Sequence, residues 1–342
     1  MRRLRSTVAA LALDALPFEW RLHHQWEAIH NRGERLTLDD RRGVRCDWKW
    51  TSSIQYCDLF PHAAARLLRV AAREWPIKFA ETHSTPPQPR MTFVIGHRGT
   101  DRQPQLLATI ATIAGQQAPV ECLVVEQSAH PEVRDALPAW VRYLHQKVSS
   151  GTPYSRAAAF NAGVACARGD IVVLHDNDLL MPAAYATEIL KHASRGVEAI
   201  DLKRFVFYLP AVDSARVVAA RSVDPARRCD SVLQNAHGGS IAITKAAYDA
   251  IGGFDESFVG WGGEDVEFWE RVETRKSTRF GYLPLVHLWH QSQPEKMTGH
   301  EAPAIANYYH LAAVAPEERI LALRARHVGA GRQQALGSEP DA

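Results

Sequence analysis

The chain has 342 residues, 40 Lys+Arg against 38 Asp+Glu for a formal charge of +2, and 46% hydrophobic residues. That length suits two domains, or one large domain with an appendage. The apolar content is ample for a buried core and excludes a wholly disordered chain, and a charge this near neutral excludes nucleic-acid binding through bulk positive charge.

Met1 to Trp20 reads as an amphipathic helix with a basic start. Its uncharged stretch, Ser6 to Leu13, is short, ends at Asp14 and is followed by no small-x-small cleavage pattern, so it does not read as a secretion signal. No apolar run approaches the ~20 residues that span a bilayer. Cys46, Cys57, Cys122, Cys166 and Cys229 are few and scattered, without CxxC spacing. This usage points to a reducing, cytoplasmic compartment. Five of the nine tryptophans (Trp20, Trp26, Trp48, Trp50 and Trp75) precede the break Ser84-Thr85-Pro86-Pro87-Gln88-Pro89, and Phe60 to Phe79 has helical spacing. Residues 1–85 are therefore expected to be a mostly helical, basic docking region without catalytic residues. It would pack on the rest of the chain, a protein partner or the inner face of a membrane.

After the break the pattern changes. Met91–Gly96, Glu121–Glu126 and Asp170–His175 read as buried strands, with helices over 105–116 and 155–167 between them. Strands alternating with helices predict an α/β fold with a largely parallel sheet, whose ligands bind at the carboxyl ends of the strands. Domain limits are expected at 90–315, with a helix and flexible tail over 316–342.

Three constellations could carry chemistry. Asp176-Asn177-Asp178 follows a strand, so both carboxylates can turn toward one hard cation such as Mg²⁺ or Mn²⁺. A solvated Asx turn is the bland alternative. Gly252 to Asp265 is a glycine-rich loop in which Trp261 offers a flat face to a sugar ring. Glu264 and Asp265 open a helix there. His287 and His290 follow an apolar run, and a neutral imidazole can complete a metal site begun by carboxylates.

Arg156-Ala-Ala-Ala-Phe-Asn161-Ala-Gly163 followed by Asp176-Asn-Asp178-Leu-Leu-Met-Pro182 resembles the donor half of family-2 glycosyltransferases of the GT-A fold. Gly252-Gly253-Phe254-Asp255 through Trp261-Gly-Gly-Glu-Asp265 is similar to the acceptor half of β-1,4-galactosyltransferases and chondroitin-polymerase-like enzymes. His290-Gln291 with Pro294-Glu295-Lys296 resembles the metal-histidine segment of the latter. The resemblance covers roughly 91–299 and is specific as an ordered combination. It implies a GT-A (nucleotide-diphospho-sugar transferase) fold with a mixed, mainly parallel sheet. It also implies an inverting transfer from a UDP-sugar (Gal, GalNAc or GlcNAc) to a glycan or lipid-linked glycan acceptor, in bacterial surface polysaccharide synthesis.

The resemblance further implies that Asp176, Asp178 and His290 hold Mn²⁺ or Mg²⁺, with His287 as second choice for the histidine. Arg98, Glu126, Arg156, Asn161 and Asp176 would line the nucleotide-sugar, and Trp261, Gly262, Gly263 and Glu264 the acceptor. Asp265 would be the general base, with Glu264 its alternative, and the helix start would keep both ionised. A non-catalytic nucleotide-sugar or glycan-binding scaffold is the alternative reading. The intact acidic residues at 176, 178 and 265 disfavour it.

Overall fold

The computed structural model describes the backbone of 36–39 and 43–46, and residues 51–258, 260, 262–278, 281–291 and 302–336, with side chains from 51 to 326. The amphipathic segment 1–20, four of the five N-terminal tryptophans, Trp261 and residues 294–296 lie outside the described residues. The two earliest described elements, β1 (Leu36–Asp39) and β2 (Gly43–Cys46), form an antiparallel hairpin where helix was expected.

The main sheet has six strands: β4 (Met91–His97), β5 (Glu121–Ser128), β6 (Arg142–Lys147), β7 (Ile171–His175), β9 (Ala199–Ile200) and β12 (Ser240–Thr244). Their order is β6-β5-β4-β7-β12-β9. The pairs among β6, β5, β4 and β7 are parallel, and β12 runs antiparallel to both β7 and β9. The expected strands are present, and β4, β5 and β7 are buried along their whole length, as the continuous apolar runs required.

Helices 103–114 and 156–166 supply the crossovers. The second starts where Ser155 Oγ accepts from the Ala158 N–H at 3.2 Å. Its Gly163 lies so close to β4 that a Cβ there would be 2.1 Å from Val94 Cγ1. Only glycine lets this helix seat on the sheet.

A second sheet, absent from the sequence reading, decides where the site residues meet. It contains β3 (Ser52–Ser53), β8 (Leu179–Leu180), β10 (Lys203–Tyr208), β11 (Ser231–Gln234) and β13 (Leu283–His287), ordered β3-β11-β10-β13-β8 and antiparallel except for β10 with β13. The turn Asp176-Asn177-Asp178 carries the chain from β7 of the first sheet to β8 of the second.

Residues 51–79 pack on this second sheet. Strand β3 extends its edge, and helix Pro61–Glu74 buries Ala64, Leu67, Leu68 and Ala71 in a cluster with Phe205, Phe207 and Val286. The apolar spacing of that helix matches the face it buries. Leu67 has no exposed surface, so Leu67→Ala should cost about 2–5 kcal/mol. Urea denaturation checks this, and unchanged stability would show that the helix lies outside the cooperative core.

At the other end, helices Pro303–Ala312 and Pro316–Leu336 close over the glycine-rich loop. Leu323 packs where a Cβ on Gly252 would stand 2.7 Å from it. Among the described residues, no helix is long and apolar enough to cross a membrane.

Candidate active site

Strand register assembles the centre of the site. Leu179 pairs with His287 and Leu180 with Val286, so the residue before β8, Asp178, is delivered beside the end of β13. The Leu288 N–H donates to the Asp178 carbonyl at 2.8 Å and pins the junction. The loop that follows is held by two side chains. Ser214 Oγ accepts from the Trp289 N–H at 2.7 Å, and Gln105 Nε2 donates to the Trp289 carbonyl at 2.8 Å. His290 is thereby turned back toward Asp178, while His287 stacks on Tyr208 with ring centroids 4.5 Å apart.

Asp178 is 3% exposed. Its Oδ2 lies 3.2 Å from His290 Nε2 and 3.4 Å from Arg102 Nη1, and its Oδ1 is 3.7 Å from His287 Nε2. Burial opposes the charge of Asp178, but His287, the hydrogen bond and charge of His290, and Arg102 hold its pKa down, at about 2. Burial and Arg102 lower the pKa of His287 despite Asp178, which favours the neutral, ligating form. One ligand atom from each of Asp178, His287 and His290 lies within 4.8 Å of the others.

Oδ1 of Asp178 is buried with no hydrogen-bond partner. A buried carboxylate oxygen left unpaired beside two imidazoles is a donor set that fits a divalent cation. Both histidines therefore join the group, so the second choice, His287, stands with His290.

Asp176 does not join it. Its Oδ1 is held by Arg156, with Nε and Nη2 both at 2.9 Å. Its N–H donates to the Gly239 carbonyl at 2.8 Å. Successive residues in a turn point apart, and Arg156 takes up the one that faces helix 156–166. The same guanidinium also bonds Asp265 and lies over Phe160, 4.6 Å from the ring centroid. Arg156 thus bridges two carboxylates, where the sequence suggested a nucleotide contact.

Two further expectations are corrected by burial. Glu126 does end β5 as expected, but it is fully buried and its carboxylate accepts from Ser128 Oγ, the Glu132 and Val133 N–H groups and the Tyr143 hydroxyl. Although burial opposes it, these bonds lower its pKa. The carboxylate shapes the loop after β5 and is not free to face a nucleoside. Asn161 is spent on the Phe254 N–H and carbonyl, the Tyr248 hydroxyl and Glu256. It staples its helix to the Gly252–Asp255 loop.

Arg98 is differently placed. Its Nε donates to the Gln127 carbonyl at 2.8 Å and its Nη1 to the Thr152 carbonyl at 2.5 Å, while Nη2 is buried without a partner.

On the other side of Arg156, Gly262 and Gly263 take φ values of +106° and +90°, which favour glycine. A Cβ on Gly263 would lie 2.7 Å from Tyr308 Cβ. Helix Glu264–Val272 starts immediately after them. Glu264 Oε2 accepts from the Gly262 N–H at 3.1 Å. Burial, then the neighbouring charge of Asp265, raises the Glu264 pKa to about 7, overriding the helix-start effect expected to keep it ionised. Arg102, Gln105 and Ser214 carried no motif. Only the position of Arg102 just past the end of β4, where ligands bind in such sheets, could have marked it.

Residues 100–250 match the family model of glycosyl transferase family 2, and residues 222–310 match the model described as the N-terminal domain of galactosyltransferase. With the sheet order and the two joined sheets, these matches support a glycosyltransferase of the GT-A type. Its curated relatives include a hyaluronan synthase of Pasteurella multocida, 26% identical over 239 residues, or 58% of this chain and 24% of that protein. Another is a chondroitin synthase of Pasteurella multocida (strain Pm70), 25% identical over 231 residues, or 55% of this chain and 23% of that protein. The chain thus spans about a quarter of the length of these relatives.

Solved structures similar to it include the catalytic domain of Drosophila β1,4-galactosyltransferase 7 with xylobiose. That match has 15% identity and a TM-score of 0.39, over 63% of this chain and 79% of that one. A mannosyltransferase from Pyrobaculum calidifontis with GDP-Man and Mn²⁺ matches at 15% identity and a TM-score of 0.42, over 81% and 84% of the two chains.

Proposed function

We propose that the protein is a metal-dependent, inverting glycosyltransferase that moves a sugar from a UDP-sugar (Gal, GalNAc or GlcNAc) to a hydroxyl of a glycan or lipid-linked glycan acceptor. The observation that carries this reading is the Asp178–His287–His290 cluster with its unpaired Oδ1, at the carboxyl end of a parallel strand. A glycan acceptor in bacterial surface polysaccharide synthesis is supported by relatives named for hyaluronan and chondroitin. Residues 1–85 are the proposed contact to a protein partner or the inner face of the membrane, in a cytoplasmic protein.

Two imidazoles beside one carboxylate favour Mn²⁺ over the harder, oxygen-seeking Mg²⁺. The cation would supply Lewis-acid stabilisation of the charge that develops on the leaving diphosphate. Arg102, 3.4 Å from Asp178, and the unpaired Nη2 of Arg98 offer donors on the same side. Trp261, Gly262 and Gly263 would frame the acceptor sugar, with a carboxylate of the Glu264–Asp265 pair taking the hydroxyl proton as it attacks. One displacement without a covalent enzyme intermediate inverts the anomeric centre.

UDP release from UDP-Gal, UDP-GalNAc and UDP-GlcNAc, with Mn²⁺ or with EDTA, tests the reading. One of the three should be turned over, and only with the metal. No release from any of them would favour a binding scaffold.

A further inference from the structure

Resting on the metal-dependent reading above, we propose that His97 is a positioning residue: it ties the turn that presents Asp178 to the loop that carries Arg98 and Arg102, and thereby sets the affinity for Mn²⁺ and UDP.

Strand register brings the pieces together. Strands β4 and β7 are adjacent and parallel, with Ile95 opposite His175. Two residues further along each, the buried His97 meets the buried Asn177, and Asn177 Nδ2 donates to His97 Nδ1 at 2.7 Å. The other ring nitrogen, Nε2, lies 2.7 Å from the Gly99 carbonyl. A carbonyl oxygen only accepts, so Nε2 carries the proton. In a neutral ring Nδ1 is then the acceptor that the Asn177 amide needs. Burial lowers the His97 pKa, with help from Arg102 and against the Gly99 carbonyl, Glu126 and Asp178. The neutral ring is the form this bonding pattern requires.

The Asn177 side of the ring sets the direction of two carboxylates. The backbone of the turn is pinned at both ends, by the Asp176 N–H on the Gly239 carbonyl and the Leu288 N–H on the Asp178 carbonyl. His175 spans the turn from beneath. Its Nε2 donates to the Leu179 carbonyl at 3.0 Å, and its Nδ1 accepts from Ser240 Oγ at 2.7 Å. With Asn177 drawn to His97, the flanking side chains part, Asp176 toward Arg156 and Asp178 toward His287 and His290. Without that bond the middle of the turn is free to rotate, and Asp178 with it.

The Gly99 side of the ring sets the cations. Gly99 takes a φ of +69°, and the bond from His97 closes the loop at that point. The same loop carries Arg98, whose Nη2 is buried without a partner. It ends at Arg102, 3.4 Å from Asp178, where helix 103–114 starts. One imidazole thus joins the metal-facing carboxylate to the arginines beside it. Losing an outer contact that orients a ligand typically costs ~10-fold to ~10²-fold in metal affinity.

The two sides of the ring can be tested separately. His97→Asn keeps an acceptor near the place of Nδ1, whereas His97→Gln keeps a donor near the place of Nε2 and drops the bond to Asn177. Calorimetric titration of UDP at a series of Mn²⁺ concentrations gives the half-saturating Mn²⁺. It should rise ~10-fold or more in His97→Gln and in Asn177→Ala, and stay within ~3-fold of wild type in His97→Asn. Combining His97→Gln with Asn177→Ala should be no worse than the more damaged single variant, because both remove one contact. At saturating Mn²⁺, His97→Asn should instead lose UDP affinity, since the loop bearing Arg98 has lost its tie. A merely structural role would lower melting temperatures without this split between metal and nucleotide. In the metal-free protein, nitrogen NMR should show the His97 ring protonated at Nε2 alone. Should His97→Gln fail to fold, Asn177→Ala must by itself raise the half-saturating Mn²⁺ by ~10-fold. Half-saturating Mn²⁺ within ~2-fold of wild type in both His97→Gln and Asn177→Ala, or additive losses in the double variant, overturns the assignment. So does unchanged UDP affinity in His97→Asn, or a His97 ring protonated at Nδ1. A wild type whose UDP binding is indifferent to Mn²⁺ instead defeats the metal-dependent reading, and this assignment with it.

Discussion

Asp178→Ala should reduce sugar transfer by ~10³-fold or more and abolish Mn²⁺-dependent UDP binding, with the fold intact. Asp178 is the one carboxylate in the cluster, and both of its oxygens face cationic or ligating groups. Without it, two imidazoles and no carboxylate remain, too weak a set to hold a cation against the charge of a diphosphate. The leaving group then loses Lewis-acid stabilisation worth several kcal/mol, and each ~1.36 kcal/mol is tenfold in rate. The fold should survive because the junction is held by backbone pairing of β8 with β13 and by the Leu288 N–H on the Asp178 carbonyl, none of which needs the side chain. Calorimetric titration of UDP with and without Mn²⁺, beside a melting curve, makes the check. Normal turnover by Asp178→Ala in EDTA would falsify the metal role.

Arg271→Met should be the most damaging change to stability. Arg271 has no exposed surface, and it bonds Glu267 through Nε at 2.7 Å and Nη2 at 2.6 Å. Its Nη1 donates to the Ile251 and Gly253 carbonyls at 2.7 and 2.6 Å. Removing it leaves a buried Glu267 carboxylate with Arg319 at 3.2 Å as its remaining ion-pair partner, and two orphaned carbonyls. Breaking a buried pair from one side costs about 3–5 kcal/mol. For a domain of this size the melting temperature should fall on the order of 10 °C. The same arginine ties the helix bearing Glu264 to the loop at 251–253, so surviving protein should also be less active. A double change, Arg271→Met with Glu267→Met, should recover part of the stability, because no buried charge is then stranded. A double variant as unstable as the sum of the singles would show that packing, not charge, dominates.

Local patterns told most where one element does one thing. The runs at 91–96, 121–126 and 170–175 have continuous apolar centres (Phe93-Val94-Ile95, Cys122 to Val125 and Ile171 to Leu174), and such runs have few outcomes other than a strand buried on both faces. Asp176-Asn177-Asp178 and Gly262-Gly263-Glu264-Asp265 were visible because turns, glycine conformations and helix starts leave marks within a few residues. Glu126 and Asn161 were misjudged for the complementary reason. Whether a strand-end carboxylate or a helix amide faces a ligand or satisfies nearby backbone depends on what folds over it, here the Glu132–Val133 turn and the Phe254 loop.

By itself, then, the sequence determined the parallel strands, the glycine-rich loop with the helix start after it, and the candidate carboxylates, since short-range sterics and burial periodicity are written locally. Tertiary structure decided their partnerships. Asp178 meets His287 because β8 pairs with β13 across more than a hundred residues of chain, and Asp176 turns to Arg156 because the chain changes sheets between the two aspartates. Asp265 is bonded by Arg156, which reaches across from another helix, while Glu264 accepts from the Gly262 N–H of its own loop. The partnerships of Asp178, Asp176 and Asp265 are long-range contacts whose register no spacing within a segment encodes.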